Sequence, residues 1–325
     1  MKKNLLLILL AGSLLTFSCP TIGQGQTVSA GKPAQADTAI PDQFRTLYRE
    51  LDKTLRQANQ IYPFNKGASR PLVAPYLFMS TSVFRSAASN SQPWQDLLAT
   101  LDAFKAMRMD GVSVMIAAPF LTVGDPKSLT DIYRRLANEI HSRNMKLYVE
   151  HFVSPPFSPY ALKGLHDDPQ GKKEFLEMME KEVSLIYREI KPDYLSLVTE
   201  PETLLRWTHL SFSADDWATW IREVTMHLKN TKAGPNTLLG AGAGTWESDE
   251  FVLKFAQQTN LDYVDFHLYA LKLNAEDQVA KLATLVRKVR EARPNMRVTI
   301  GEAWLYKHGA EEPKGMLNRE AFSRD

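Results

Sequence analysis

Tyr194-Leu195-Ser196-Leu197-Val198-Thr199-Glu200-Pro201 is a short, nearly continuous apolar run that stops on a carboxylate and a proline. Arg297-Val298-Thr299-Ile300-Gly301-Glu302 repeats the design about a hundred residues later. A strand buried on both faces reads this way, and such strands belong to parallel sheets covered by helices. Working outward from these two runs, an alternation starts after Arg70. Strands are expected at 72–79, 111–118, 146–153, 194–200, 237–243, 263–269 and 297–302. Helical periodicity fills the gaps at 94–107, 129–143, 172–190, 214–228, 250–258 and 275–292. Ser213 and Ser248 stand where N-caps belong.

Strand and helix in strict alternation imply crossover helices on a parallel sheet. A doubly wound sheet would carry a glycine-rich phosphate loop after an early strand. Here the first strand runs into Ser80-Thr81-Ser82-Val83-Phe84, and Gly240-Ala241-Gly242-Ala243-Gly244 falls at the fifth strand without the dinucleotide spacing. The pattern therefore favours an α/β chain with a TIM (β/α)8-type barrel. Seven strands are found where eight are needed, so the reading is a barrel apparently missing its last βα unit at the C-terminus, the domain occupying residues 41–325. A further helical pattern through Leu47, Leu51 and Leu55 precedes the first strand.

The N-terminus reads as a targeting signal over residues 1–19. Lys2-Lys3 is a basic start, and Leu5 to Phe17 is an apolar stretch too short to span a bilayer comfortably. Cys19, the chain's single cysteine, rules out an internal disulfide. It is read as a lipid-anchor site or as a residue of a leader cut later, after Ala30. Residues 20–40 are a polar, small-residue linker. The expected location is outside a bacterial cytoplasm: periplasmic, tethered to the outer membrane, or extracellular. The formal net charge of +2 comes from Lys2 and Lys3, since Lys32 and Asp37 cancel, leaving 2 − 2 = 0 for the rest. A neutral body excludes nucleic acid as the main partner, which would need a concentrated basic face.

Barrel enzymes carry their chemistry at the C-terminal strand ends. Those ends offer Tyr76 and Phe78, then Glu150-His151, Thr199-Glu200-Pro201-Glu202, Trp246-Glu247, Asp265-Phe266-His267-Leu268-Tyr269 and Gly301-Glu302-Ala303-Trp304. Two carboxylates facing each other across a cleft are the working parts of glycoside hydrolysis. Flat aromatic faces suit the C–H surfaces of pyranose rings.

These motifs resemble the clan A glycoside hydrolases, retaining β-glycosidases on (β/α)8 barrels, over residues 70–307. Thr199-Glu200-Pro201 stands at the fourth strand, His267-Leu268-Tyr269 at the sixth and Gly301-Glu302 at the seventh. The resemblance implies Glu200 as general acid/base and Glu302 as nucleophile, with no cofactor or metal. Tyr76, His151, Thr199, Trp246, His267, Tyr269 and Trp304 would contact an oligo- or polysaccharide. A retaining pair sits about 5–5.5 Å apart, an inverting pair about 6.5–9.5 Å. The sequence departs from the clan in two places: Thr199 replaces the usual Asn, and no Arg ends the second strand, Ile116-Ala117-Ala118-Pro119. Glu202 competes with Glu200. Glu150 and His151 face opposite ways, so one alone points inward. Two other readings use the same residues: a metal-dependent sugar isomerase-like barrel holding an ion with Glu200, His267, Glu302 and Glu150 or His151, and a non-catalytic carbohydrate-binding barrel.

Overall fold

The computed structural model describes residues 49, 72–77, 79, 91–123, 126–156, 158, 160–231, 236–270 and 275–305. The leader, Cys19, the linker, the helix through Leu47–Leu55 and Phe78 lie outside them. The side chain of Trp304 does too, although its backbone is described.

Among the described residues six strands alternate with helices in chain order: α1 (Gln92–Ala106), β1 (Gly111–Ala118), α2 (Pro126–Ser142), β2 (Lys146–Val153), α3 (Pro169–Leu185), β3 (Tyr194–Ser196), α4 (Pro201–Thr208), α5 (Ala214–Lys229), β4 (Leu238–Gly244), α6 (Asp249–Gln258), β5 (Tyr263–Ala270), α7 (Ala275–Ala292) and β6 (Arg297–Leu305). A single π turn, Ile186–Ile190, finishes α3. The sheet order is β1-β2-β3-β4-β5-β6, every pair parallel. A doubly wound sheet reverses its order part-way; this one never does. The segment 72–77 adds a further member beside β1. Ser113 N donates to Pro75 O at 2.9 Å, Leu77 N to Ser113 O at 2.8 Å, and Tyr76 bridges Ser113 in parallel. Counted from that segment, β3 is the fourth strand and β6 the seventh.

The sheet curls into a partial TIM barrel. Tyr148 on β2 donates to Asp265 Oδ2 on β5 at 2.6 Å. In a flat sheet those strands would stand about 14 Å apart, three spacings of about 4.8 Å. Glu150 on β2 also reaches β6: its Oε1 lies 2.6 Å from where a Cβ on Gly301 would stand. Curvature alone closes a gap of four strand spacings.

Alternation assigns the inner face. Ser113, Tyr148, Ser196, Gly240 and Tyr263 stand in one register row, or one diagonal, of the sheet. The rings of Tyr148, Tyr194 and Tyr263 meet at 5.9–6.1 Å between centroids. The glycines of β4 make room for them. A Cβ on Gly240 would collide with the Tyr263 ring, and one on Gly242 with Asp265. The Gly-Ala-Gly-Ala-Gly run is thus a strand whose inner positions are emptied for larger neighbours. Outside the sheet, Trp94, Leu97, Leu101 and Phe104 of α1 and Trp217, Ile221, Val224 and Leu228 of α5 recur at helical spacing and are buried. Each such burial contributes on the order of 1.5–3 kcal/mol. Ser213 caps α5 in a capping box with Asp216, and Ser248 Oγ accepts from Glu250 N at the start of α6. Among the described residues no helix is long and apolar enough to cross a membrane.

Candidate active site

The ladder of β3 is short, yet its backbone stays tied to β4 beyond Ser196: Leu197 N donates to Gly240 O at 2.7 Å and Gly242 N to Val198 O at 2.9 Å. Pro201 then opens α4. Between them Glu200 holds left-handed backbone angles, φ 48° and ψ 61°. A non-glycine residue there costs on the order of 1–3 kcal/mol, which the surrounding contacts must over-determine. Glu247 supplies two of those contacts. Its carboxylate accepts from Thr203 N on α4 at 3.1 Å and from Gly244 N at the end of β4 at 2.8 Å. Burial pushes Glu247 up to about 8 against the pull of those two bonds.

At the other side of the mouth, β6 carries a bulge. Phe266 pairs with Ile300, but His267 pairs with Glu302, so Gly301 is the extra residue. Thr299 points inward, donating to Asp265 Oδ1 at 2.5 Å. A regular strand would then send Glu302, three positions on, outward. The bulge reverses that parity and brings Glu302 to the Tyr269 hydroxyl, which donates to its Oε2. Only glycine serves at 301, since an added Cβ would lie 2.6 Å from Asp265 Oδ2 and from Glu150 Oε1.

His267 lies between the two walls. Its Nδ1 is 2.7 Å from Glu200 Oε1, and its Nε2 faces Glu150 Oε2 at 3.7 Å and Asp265 Oδ2 at 3.8 Å. Burial alone would pull the imidazole down, but the bond to Glu200 and the charges of Glu150 and Glu302 raise it well above its ordinary value. Burial, helped by the nearby Glu302 and Asp265, holds Glu150 well above the carboxylate range. Glu200, His267 and Glu302 each present one atom within 4.8 Å of the others, and so do Glu150, Asp265 and His267.

The aromatic candidates sort by position. Trp246 lies flat on Tyr269, centroids 4.5 Å apart at 16°, making one wall beside Glu302. Burial raises the Tyr269 hydroxyl beyond any working pH, with Glu302 adding to it, so it stays a donor. Tyr76 is shifted the same way, first by burial and then by Glu150 and Glu302, which puts it in the same interior. Thr199 is wholly buried, and its hydroxyl has no partner among the described residues. Glu202 is spent elsewhere: its Oε1 accepts from Ser248 N at 3.0 Å.

His151 stands apart from the carboxylates. It pairs with Ile116 while Glu150 pairs with Met115. Glu150 takes the inner face, and the ring of His151 turns away onto Leu197 O at 3.0 Å. Buried and uncharged, with its value lowered to about 4 by burial, His151 does not join the carboxylates. Two inner residues were not singled out from sequence. Glu150 shared a parity choice with His151, and the signal that settles it is Tyr148 two residues earlier, facing the same way. Asp265 looked like one strand-end acid among several, yet it accepts from Tyr148, Ser196 and Thr299 across three strands.

No protein-family model and no curated protein matches this chain. Among solved structures it is similar to GH5_18 from Bifidobacterium longum subsp. longum, at 15% identity and TM-score 0.47, covering 74% of this chain and 70% of that one. It is also similar to the exo-beta-1,4-mannosidase Op5Man5 from Opitutaceae bacterium strain TAV5, at 13% identity and TM-score 0.46, covering 79% of this chain and 55% of that one. A third is the GH113 beta-mannanase AaManA from Alicyclobacillus acidocaldarius, at 12% identity and TM-score 0.45, covering 73% and 75%. The chain spans about half the length of the Opitutaceae mannosidase. With every one of these TM-scores below 0.5, the fold rests on the sheet order and cross-barrel contacts, and the chemistry on the residues themselves.

Proposed function

We propose that this chain is an exported glycoside hydrolase that cleaves a β-glycosidic bond with retention. The observation that carries the reading is the pairing of Glu200 and Glu302 at opposing strand ends, with carboxylate oxygens within 4.8 Å and a separate partner for each. One oxygen of each carboxylate lying within 4.8 Å of the other is in keeping with the about 5–5.5 Å separation of a retaining pair. Glu302, held by Tyr269, attacks the anomeric carbon and forms a C–O bond to it. Glu200 gives its proton to the departing oxygen. Water, deprotonated by Glu200, then releases the sugar from Glu302. His267 occupies Glu200 Oε1, which leaves Oε2 as the oxygen that carries the proton. Export rests on the basic, apolar N-terminal leader and would place the enzyme on glycans outside the cytoplasm.

The test is hydrolysis of a panel of aryl β-glycosides and polysaccharides, with the product anomer followed by NMR. Retained products, lost in Glu302→Ala and replaced by an inverted glycosyl azide when azide is added, support the reading. Glycan binding with no turnover by the parent chain would leave a carbohydrate-binding barrel in its place.

A further inference from the structure

Beneath the Glu200–His267 pair lies a second cluster, which shares His267 with it and adds two acids that hydrolysis does not use. Glu150 Oε2 and His267 Nε2 are buried and without hydrogen-bond partners among the described residues. They face each other at 3.7 Å, and Asp265 Oδ2 lies 3.8 Å from the same nitrogen. Both gaps are too long for hydrogen bonds. One small cation bound to two such atoms by bonds of about 2.0–2.2 Å holds them about 3.4 Å apart in tetrahedral geometry. A contraction of a few tenths of an ångström would bring each of the two oxygens to that spacing from the imidazole nitrogen, and the three candidate ligand atoms all lie within 4.8 Å of one another.

The charge balance points the same way. Glu150, Asp265, Glu200 and Glu302 are all buried, and among the described residues the imidazole of His267 faces them without a buried lysine or arginine to help it, four acids to one base. Isolated buried carboxylates are costly unless paired, protonated or bound to a metal. The outer contacts also match a metal site. A ligating histidine usually bonds its other nitrogen to a carboxylate, and ligating carboxylates are themselves hydrogen-bonded. His267 Nδ1 meets Glu200 at 2.7 Å, and Asp265 is held by Tyr148 at 2.6 Å, Ser196 at 3.2 Å and Thr299 at 2.5 Å. Ser113 Oγ lies 3.5 Å from Glu150 Oε1.

We propose that Glu150, Asp265 and His267 bind one divalent transition-metal cation inside the barrel, one imidazole and two carboxylates being a donor set suited to Zn2+. Neither Glu200 nor Glu302 is a ligand and only His267 is shared, so metal binding, read without turnover, stands or falls apart from the hydrolase reading. Bound there, the cation would hold His267 with its proton on Nδ1, directed at Glu200.

The experiment uses the full chain carrying no histidine tag. It is stripped with a chelator, given one equivalent of Zn2+, and gel-filtered. Metal per chain is measured by mass spectrometry and thermal stability by circular dichroism. One Zn2+ per chain with a raised Tm is expected. Glu150→Gln and Asp265→Asn should each weaken binding at least tenfold, whereas Glu302→Gln should keep it. X-ray absorption on the loaded parent protein gives a readout that needs no variant to fold: one imidazole with oxygen ligands is expected. The proposal is overturned by a parent chain that retains no Zn2+, by a spectrum lacking imidazole, or by undiminished binding in Glu150→Gln. Loss in Glu302→Gln with retention in Glu150→Gln would move the ion to the Glu200, His267 and Glu302 cluster.

Discussion

The Tyr269 hydroxyl donates to Glu302 Oε2 while the Tyr269 ring lies flat against Trp246, 4.5 Å between centroids. One side chain thus orients Glu302 through its polar end and is itself held by packing. Tyr269→Phe removes the first contact and keeps the second. A hydrogen bond to a charged group contributes about 1.5–3 kcal/mol. Spent on orienting Glu302, that corresponds to a fall in kcat of roughly 10- to 100-fold. Tm should move little, because the ring still fills its place. Steady-state kinetics beside a melting curve checks this, and an unchanged kcat would remove Tyr269 from the mechanism.

Gly301 tests whether the bulge aims Glu302. A Cβ there meets Asp265 Oδ2 and Glu150 Oε1 at 2.6 Å, both on buried carboxylates. Gly301→Ala should destabilise by about 1–3 kcal/mol, the usual range for overpacking. It should also lower kcat, since the displaced strand end carries Glu302. Denaturant unfolding and turnover are the measurements. Full stability together with full activity would show that the β6 backbone does not need this glycine.

The strand–helix order was open to sequence reading because buried parallel strands write themselves as apolar runs. β1 and β2 fall on the residues expected for them, 111–118 and 146–153. β3 was read too long. Leu197 and Val198 have strand character, but the chain leaves the ladder with β2 after Ser196 and turns through Glu200 into α4. α4, at eight residues, was missed: a segment that short offers too little periodicity to stand out beside a proline. The carboxylate pair and its partners His267 and Tyr269 were legible because each closes a strand. The choice of Glu150 over His151 was not, because alternation fixes relative parity and leaves the absolute face to contacts such as Tyr148 with Asp265. The bulge is hidden for a related reason. It shows only once Thr299 and Glu302, an odd number of residues apart, are both known to face inward.

Stability should fall as pH rises because two acids are buried with raised values. Glu247 is pushed to about 8 and Glu182 to about 7, in both cases chiefly by burial. For a raised acid the folded state binds the extra proton. The contribution is therefore complete below the unfolded value, near 4.5, and is lost as pH climbs through the folded value. The slope is at most about 1.4 kcal/mol per pH unit for each group. Melting curves at pH 5 and pH 9 should separate more for the parent chain than for Glu247→Gln, with Glu182→Gln removing a further share. Equal separations in all three would contradict the buried, protonated state of these acids.

Trp246 offers the sharpest test of the aromatic wall beside Glu302. It is partly exposed, it is held by Tyr269, and it follows directly on the β4 end that Glu247 ties to α4. If its free face takes a pyranose ring, truncation removes binding present in both ground and transition states. That kind of loss raises KM more than it lowers kcat. Trp246→Ala should therefore raise KM roughly 2- to 10-fold, in line with the about 0.5–1.5 kcal/mol of a ring contact beyond its buried area. Trp246→Phe should recover most of it, because phenylalanine keeps a flat face against Tyr269. A kcat that collapses at constant KM would mean that Trp246 acts only by holding Tyr269 against Glu302, with no sugar on its outer face.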